Sequence, residues 1–263
     1  MSMDDLTPVF GAPAQDSPAQ DSPSQSAAVE TPVAEAVEPQ TTETEQAAPE
    51  AADLLGRHEL ATQMVAKLCH DFISPAGAIM SGLDLLEDPS AQDMKQEALN
   101  LISTSAKKMV SLVYFARVAF GAANSAEAFN AAQLQKILND MYTSLRAELD
   151  FRIEPNVIFE KPAARALLNL GLLMGNSLPM GGKARLEATK EDGKLIISAE
   201  GRGPRARLKP EAIEALAGKP LSDGLSGQWI QPHWLYSVVT EAGGFLTIES
   251  DTDALFITVT LPE

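Results

Sequence analysis

KLCHDFISPAGAI, residues 67–79, sets a histidine beside an aspartate and five residues ahead of a proline, inside a long helical pattern. On a wheel of about 100° per residue, Glu59, Gln63, Ala66, Ser74, Gly77, Ser81 and Asp84 fall within about 40° of His70. All are polar or small. The opposite side collects Ala61, Val65, Leu68, Phe72, Pro75, Ile79, Leu83 and Leu86, so His70 stands in the middle of a solvent face. A lone helical histidine is ordinarily a satisfied core residue or an inert surface one. The wheel argues against the core version. Ala66, Ser74, Gly77 and Ser81 leave the imidazole little surrounding bulk, as a site approached by another protein needs. His58 and His233 have no comparable surround.

A neutral imidazole is a competent nucleophile, and phosphohistidine is a labile, readily transferred species, which makes His70 a candidate phosphoacceptor. Asp71 can orient the ring by accepting from one nitrogen, leaving the other free. Ser74 lies one turn on. Pro75 removes a backbone donor and can bend the helix just past the site.

The helical pattern runs from about Ala51 to Leu86, where Glu87-Asp88-Pro89 breaks it, and Ser90 is placed to cap a second helix. Met94, Ala98, Leu101, Ile102, Ser105, Met109, Leu112, Val113, Ala116 and Phe120 then keep helical spacing as far as Gly121. Two long helices joined by so short a turn should pack antiparallel. Each is more apolar than one hairpin neighbour satisfies, so pairing of two hairpins into a four-helix bundle is expected.

Residues 1–50 are mostly Ala, Pro, Gln, Ser, Thr and Glu, and they carry ten of the acidic side chains with no Lys or Arg. Such a segment buries too little apolar surface to offset the entropy of ordering, and a disordered acidic tail is expected. The whole chain of 263 residues has a formal charge of −16, which would repel a phosphate backbone and argues against nucleic acid as a partner. The single cysteine, Cys69, rules out an internal disulfide framework, and no Cys/His spacing suits zinc. There is no signal-like N-terminus and no apolar run of about 18 residues, so a soluble, cytoplasmic protein without a membrane anchor is expected.

Asn130 can cap a third helix through Leu134, Ile137, Leu138, Met141 and Leu145. Beyond Asp150 short β-like runs appear at 151–154, 184–190, 194–200, 245–250 and 254–261, with helical stretches near 162–176, 209–217 and 232–242. This is a sheet with helices packed on it. The fold expected is therefore α plus α/β, with a tail over 1–50, a helical hairpin over 51–124 and an α/β domain over 125–263.

His70-Asp71-Phe72-Ile73-Ser74-Pro75 resembles the H-box of sensor histidine kinases, where His precedes an acid, with Asn, Thr or Ser at the fourth place on and Pro at the fifth. LLNLGLLMGNS (167–177) is similar to the N-box helix of their ATP-binding domain, and LYSVVTEAGGFLTIES (235–250) resembles the helix, glycine pair and strand near that domain's end. The resemblance implies a Bergerat-like α/β sandwich. The departures are specific. If Asn176 is the metal-binding Asn, Leu172 stands where a polar partner belongs; if Asn169, Arg165 does. The adenine-reading Asp is replaced by Ala199, and Glu200 is one residue late, on the other face of a strand. The lid GLSGQWIQP keeps Gly224 and Gly227 but adds Trp229 and Pro232. Each impaired contact costs about 1 to 3 kcal/mol, so weak or absent ATP binding is expected.

An intact phosphoacceptor beside a degenerate nucleotide site resembles the ChpT family of histidine phosphotransferases. That resemblance implies a homodimer in which His70 takes phosphate from the receiver aspartate of a CckA-like hybrid kinase and passes it to CtrA-like and CpdR-like receivers. It implies no cofactor in this chain, with Mg²⁺ held by the receiver. An ATP-dependent histidine kinase and a noncatalytic dimeric scaffold are the alternatives.

Overall fold

The breaker at Glu87-Asp88-Pro89 does fold the helical region back on itself. In the computed structural model, which describes residues 47–121, 128–219 and 229–263, α1 spans Ala47–Glu87 and α2 spans Lys95–Ala119. The tail residues up to 46, and Gly224 and Gly227 of the expected lid, lie outside the described residues. Helix α1 begins a few residues before the expected boundary at 51, with Pro49 in its first turn, where a proline is tolerated.

The turn differs from the expected Ser90 cap. Asp88 is the cap: its Oδ1 accepts from Ser90 N at 2.8 Å and Ser90 Oγ at 2.7 Å. Pro89–Met94 then forms a 3₁₀ turn, and α2 starts only at Lys95, because Ala91 departs from helical geometry. The helices approach closely at Gly82, where an added Cβ would lie 2.6 Å from Ile102 Cγ1 and 3.1 Å from the Ala98 carbonyl oxygen.

The apolar side expected opposite His70 is two stripes rather than one. Met64, Pro75 and Gly82 are buried, Gly82 against α2, while Val65, Ile73, Met80 and Leu83 are exposed. Val65, Cys69, Ile73, Ala76, Met80 and Leu83 step by three and four, the spacing of a coiled-coil seam. Leu99, Val110 and Val113 make a similar exposed line on α2. His70 lies between the covered and the uncovered stripe.

After the hairpin, β1 (Ala128–Asn130) leads into α3 (Ala131–Tyr142) through the expected Asn130 cap. It is a full capping box: Gln133 N donates to Asn130 Oδ1, and Asn130 N donates to Gln133 Oε1, both at 2.9 Å. The helix stops before Leu145, as Thr143 and Ser144 hydroxyls turn back to the Asp140 and Met141 carbonyls. Then come β2 (Ala147–Phe151), β3 (Ile158–Glu160), α4 (Lys161–Asn176), β4 (Gly182–Glu191), β5 (Lys194–Arg202), α5 (Pro210–Leu216), α6 (Ile230–Glu241), β6 (Phe245–Asp251) and β7 (Ala254–Pro262). The strand expected at 151–154 begins and ends earlier. A turn closed by Val157 N on the Glu154 carbonyl, containing Pro155, ends the extended run.

Five strands form one sheet in the order β2-β4-β5-β7-β6, parallel only between β2 and β4, and β1 pairs with β3 separately. Leu186, Ile197, Ala199, Ile257 and Val259 point to the helix layer. Helix α4 is buried along nearly its whole length, and Phe115, Val118 and Ala119 at the end of α2 belong to the same core. Residues Gln46–Glu263 form one compact unit.

Replacing Gly82 with Leu should lower stability by urea denaturation, because overpacking costs about 1–3 kcal/mol against about 0.8 kcal/mol gained in helix propensity. On α6, burial holds the His233 imidazole below its ordinary 6.5. The unfolded ring takes its proton more readily, so acidification favours unfolding. Stability should fall as pH drops below about 6.5, and His233→Gln should flatten that part of a melting-temperature profile.

Candidate functional site

The middle of α1 presents His70 with its side chain 88% exposed. Ala66, Ser74, Gly77, Ser81 and Asp84 on the same face are exposed as well, so the sequence-predicted bare surround is present. Only Gln63 among these neighbours is partly covered. Ser74 lies one turn beyond His70 on that face.

Asp71, the other sequence-predicted group, sits on the shoulder toward α2 and is 30% exposed. Its Oδ1 lies 3.5 Å from His70 Nδ1. Its Oδ2 accepts from Lys67 Nζ at 2.8 Å, and Lys67 is only 19% exposed. A carboxylate beside Nδ1 favours the tautomer protonated there. That leaves Nε2 as the free lone pair on the exposed face. Lys67 was not among the sequence candidates, although its i,i+4 spacing to Asp71 is a recognised signal of pairing.

The positions that resemble nucleotide-binding residues do other work. Asn169 is fully buried, and its Nδ2 donates to the Arg165 carbonyl at 2.9 Å and to the Ala119 carbonyl at 3.4 Å. Trp234 Nε1 donates to the same Ala119 oxygen at 2.9 Å, and the Arg165 guanidinium bonds the Gly121 carbonyl. Arg165 also stacks over Trp234, 5.9 Å from the ring centre. Phe120 meets Phe115 and Trp234 edge to face. The N-box-like helix and α6 thus grip the C-terminal end of α2. Asn176 is exposed at the end of α4.

Ala199 is buried on the inner face of β5, whereas Glu200 points to the outer face, where Arg185 Nη1 lies 3.3 Å away and Arg202 also bonds it. Beside Ala199, Met174 fills the space over Gly201: an added Cβ there would lie 2.5 Å from Met174 Sδ. Among the described residues no group of three or more His, Cys, Asp or Glu is placed to hold a metal, and no helix is long and apolar enough to cross a membrane.

Residues 131–254 match the family described as histidine phosphotransferase C-terminal domain. The protein phosphotransferase ChpT of Brucella abortus (strain 2308) is 30% identical over 198 residues, covering 74% of this chain and 92% of that protein. The solved structure of a bacterial phosphotransferase superposes with a TM-score of 0.69 at 26% identity, covering 76% of this chain and 95% of that one. The histidine kinase AdeS of Acinetobacter baumannii gives a TM-score of 0.41 at 13% identity, covering 73% of this chain and 97% of that one.

Trp234→Phe keeps an aromatic ring and deletes the donor to Ala119. It should cost about 0.5–1.5 kcal/mol, and amide hydrogen exchange at the last turn of α2 should quicken while the middle of α1 keeps its rate.

Proposed function

The chain belongs to the ChpT-type histidine phosphotransferases, and from that premise we propose that His70 is the residue on which phosphate rests between two receiver domains. Histidine phosphotransfer in a phosphorelay is the activity of this family. What carries the assignment to His70 is its exposure on a bare helical face with Nδ1 turned to a carboxylate.

The lone pair of His70 Nε2 attacks the phosphorus of a receiver's aspartyl phosphate. The bond from phosphorus to the aspartate oxygen breaks, and the receiver recovers its carboxylate. The ring retains its Nδ1 proton and becomes a phosphoimidazolium, whose positive charge Asp71 faces. Attack by a second receiver's carboxylate reverses these steps. There is little covalent chemistry for the protein to assist, so positioning supplies most of the rate. Ser74 borders the docking face one turn away.

The transferring receiver brings its own Mg²⁺, and this chain uses no cofactor. Its partners are the receiver of a CckA-like hybrid kinase and the receivers of CtrA-like and CpdR-like regulators, met in the cytoplasm. The uncovered apolar stripes on α1 and α2 support a homodimer in which two hairpins form a four-helix bundle. The filled space over Gly201 favours transfer over ATP-dependent autophosphorylation.

Reconstitution with a phosphorylated hybrid-kinase receiver tests the assignment. Wild-type protein should acquire label and pass it to the second receiver, and His70→Ala should lower that flow at least 100-fold, about 2.7 kcal/mol at 1.36 kcal/mol per tenfold. Stoichiometric labelling of His70 from ATP alone would instead establish a kinase, and unchanged flow through His70→Ala a scaffold.

A further inference from the structure

We propose that Lys67 is a positioning residue for the phosphoacceptor: it fixes the Asp71 carboxylate so that one oxygen stays against His70 Nδ1. The inference rests on the reading of His70 as the phosphate carrier and adds a third member to its machinery.

Three observations carry it. The two oxygens of Asp71 are divided, Oδ2 bonded to Lys67 Nζ at 2.8 Å and Oδ1 facing His70 Nδ1 at 3.5 Å. A carboxylate held at one oxygen has lost most of its rotational choice, so the other oxygen is presented in one direction. Lys67 is itself confined, with its side chain 19% exposed on the shoulder of α1 toward α2, whereas an ordinary surface lysine is free. Finally, the three residues sit at positions i, i+3 and i+4 of one helix, so the backbone sets their separations.

Surface ion pairs at this spacing contribute little to stability. The pair's consequence lies elsewhere. During transfer the ring gains positive charge at Nδ1–H, and 3.5 Å is slightly long for a hydrogen bond in the resting state. Contacts of this kind tighten when the reacting complex forms. A carboxylate already aimed at Nδ1 needs no reorientation at that moment. Without Lys67, Asp71 is free to swing into solvent. The ring then divides between its two tautomers, and the fraction with a free Nε2 falls.

Ring ¹⁵N shifts of histidine-labelled protein report the tautomer directly, with three histidines to resolve and His70→Ala to assign the signal. Lys67→Met should lower the Nδ1–H fraction of His70 and lower kcat for transfer from a phosphorylated receiver about 3- to 10-fold with KM unchanged; Lys67→Arg should restore both. Lys67→Met with the wild-type tautomer fraction and wild-type kcat would overturn the proposal, as would a loss confined to KM, which would mark Lys67 as a docking contact. Wild-type protein that takes no phosphate on His70 would overturn the underlying reading as well. Matching circular dichroism and melting curves for the variants exclude a folding defect as the source of any loss.

Discussion

The carbonyl oxygen of Ala119 is the point on which the arrangement of this protein turns. The last carbonyls of a helix have no partner within it and must find one elsewhere. At the end of α2 that partner is the other half of the molecule: Trp234 and Asn169 both donate to Ala119, and Arg165 takes Gly121. The aromatic edges of Phe115, Phe120 and Trp234 exclude water around these bonds, which strengthens each of them. Because α1 is packed along α2, fixing the end of α2 also fixes which way His70 faces relative to the sheet.

Asn169 shows how a vacated ligand position is reused. In the resemblance to sensor kinases it is a candidate metal ligand lacking its polar partner, since Arg165 stands one turn before it. In the fold both residues bond backbone carbonyls at the hairpin's end. A buried amide or guanidinium donor cannot stand idle without a desolvation cost, and the last carbonyls of α2 are acceptors that the helix itself leaves open. Ala199 and Met174 close the neighbouring space with apolar atoms.

Much of this was legible in the residues. The 3.6-residue period locates both long helices and puts His70 on the bare face of α1, and short β-like runs locate four of the five sheet strands. The Asn130 capping box is a local pattern, legible in the sequence at its cap. What escaped depended on partners far along the chain. The bonds to Ala119 join residues 50 and 115 positions apart, which no window of sequence displays. The apolar side of α1 read as one stripe because a wheel shows hydrophobicity without showing where the neighbouring helix lies; α2 covers one shoulder and leaves the other. Ser90 does not cap α2 because Asp88, ahead of Pro89, meets the Ser90 amide and hydroxyl together and caps a 3₁₀ turn there, and α2 starts beyond it at Lys95 with no side-chain cap.

The joint at Ala119 also orders events in time. The hairpin is made of contacts near in sequence, the kind that form early, whereas Trp234 is 115 residues beyond its acceptor. A nascent chain emerging N-terminus first has its phosphoacceptor helix and the helix that supports it long before α6 leaves the ribosome. Until then His70 is on display with its orientation unset, and the docking of α4 and α6 on the end of α2 gives it a direction.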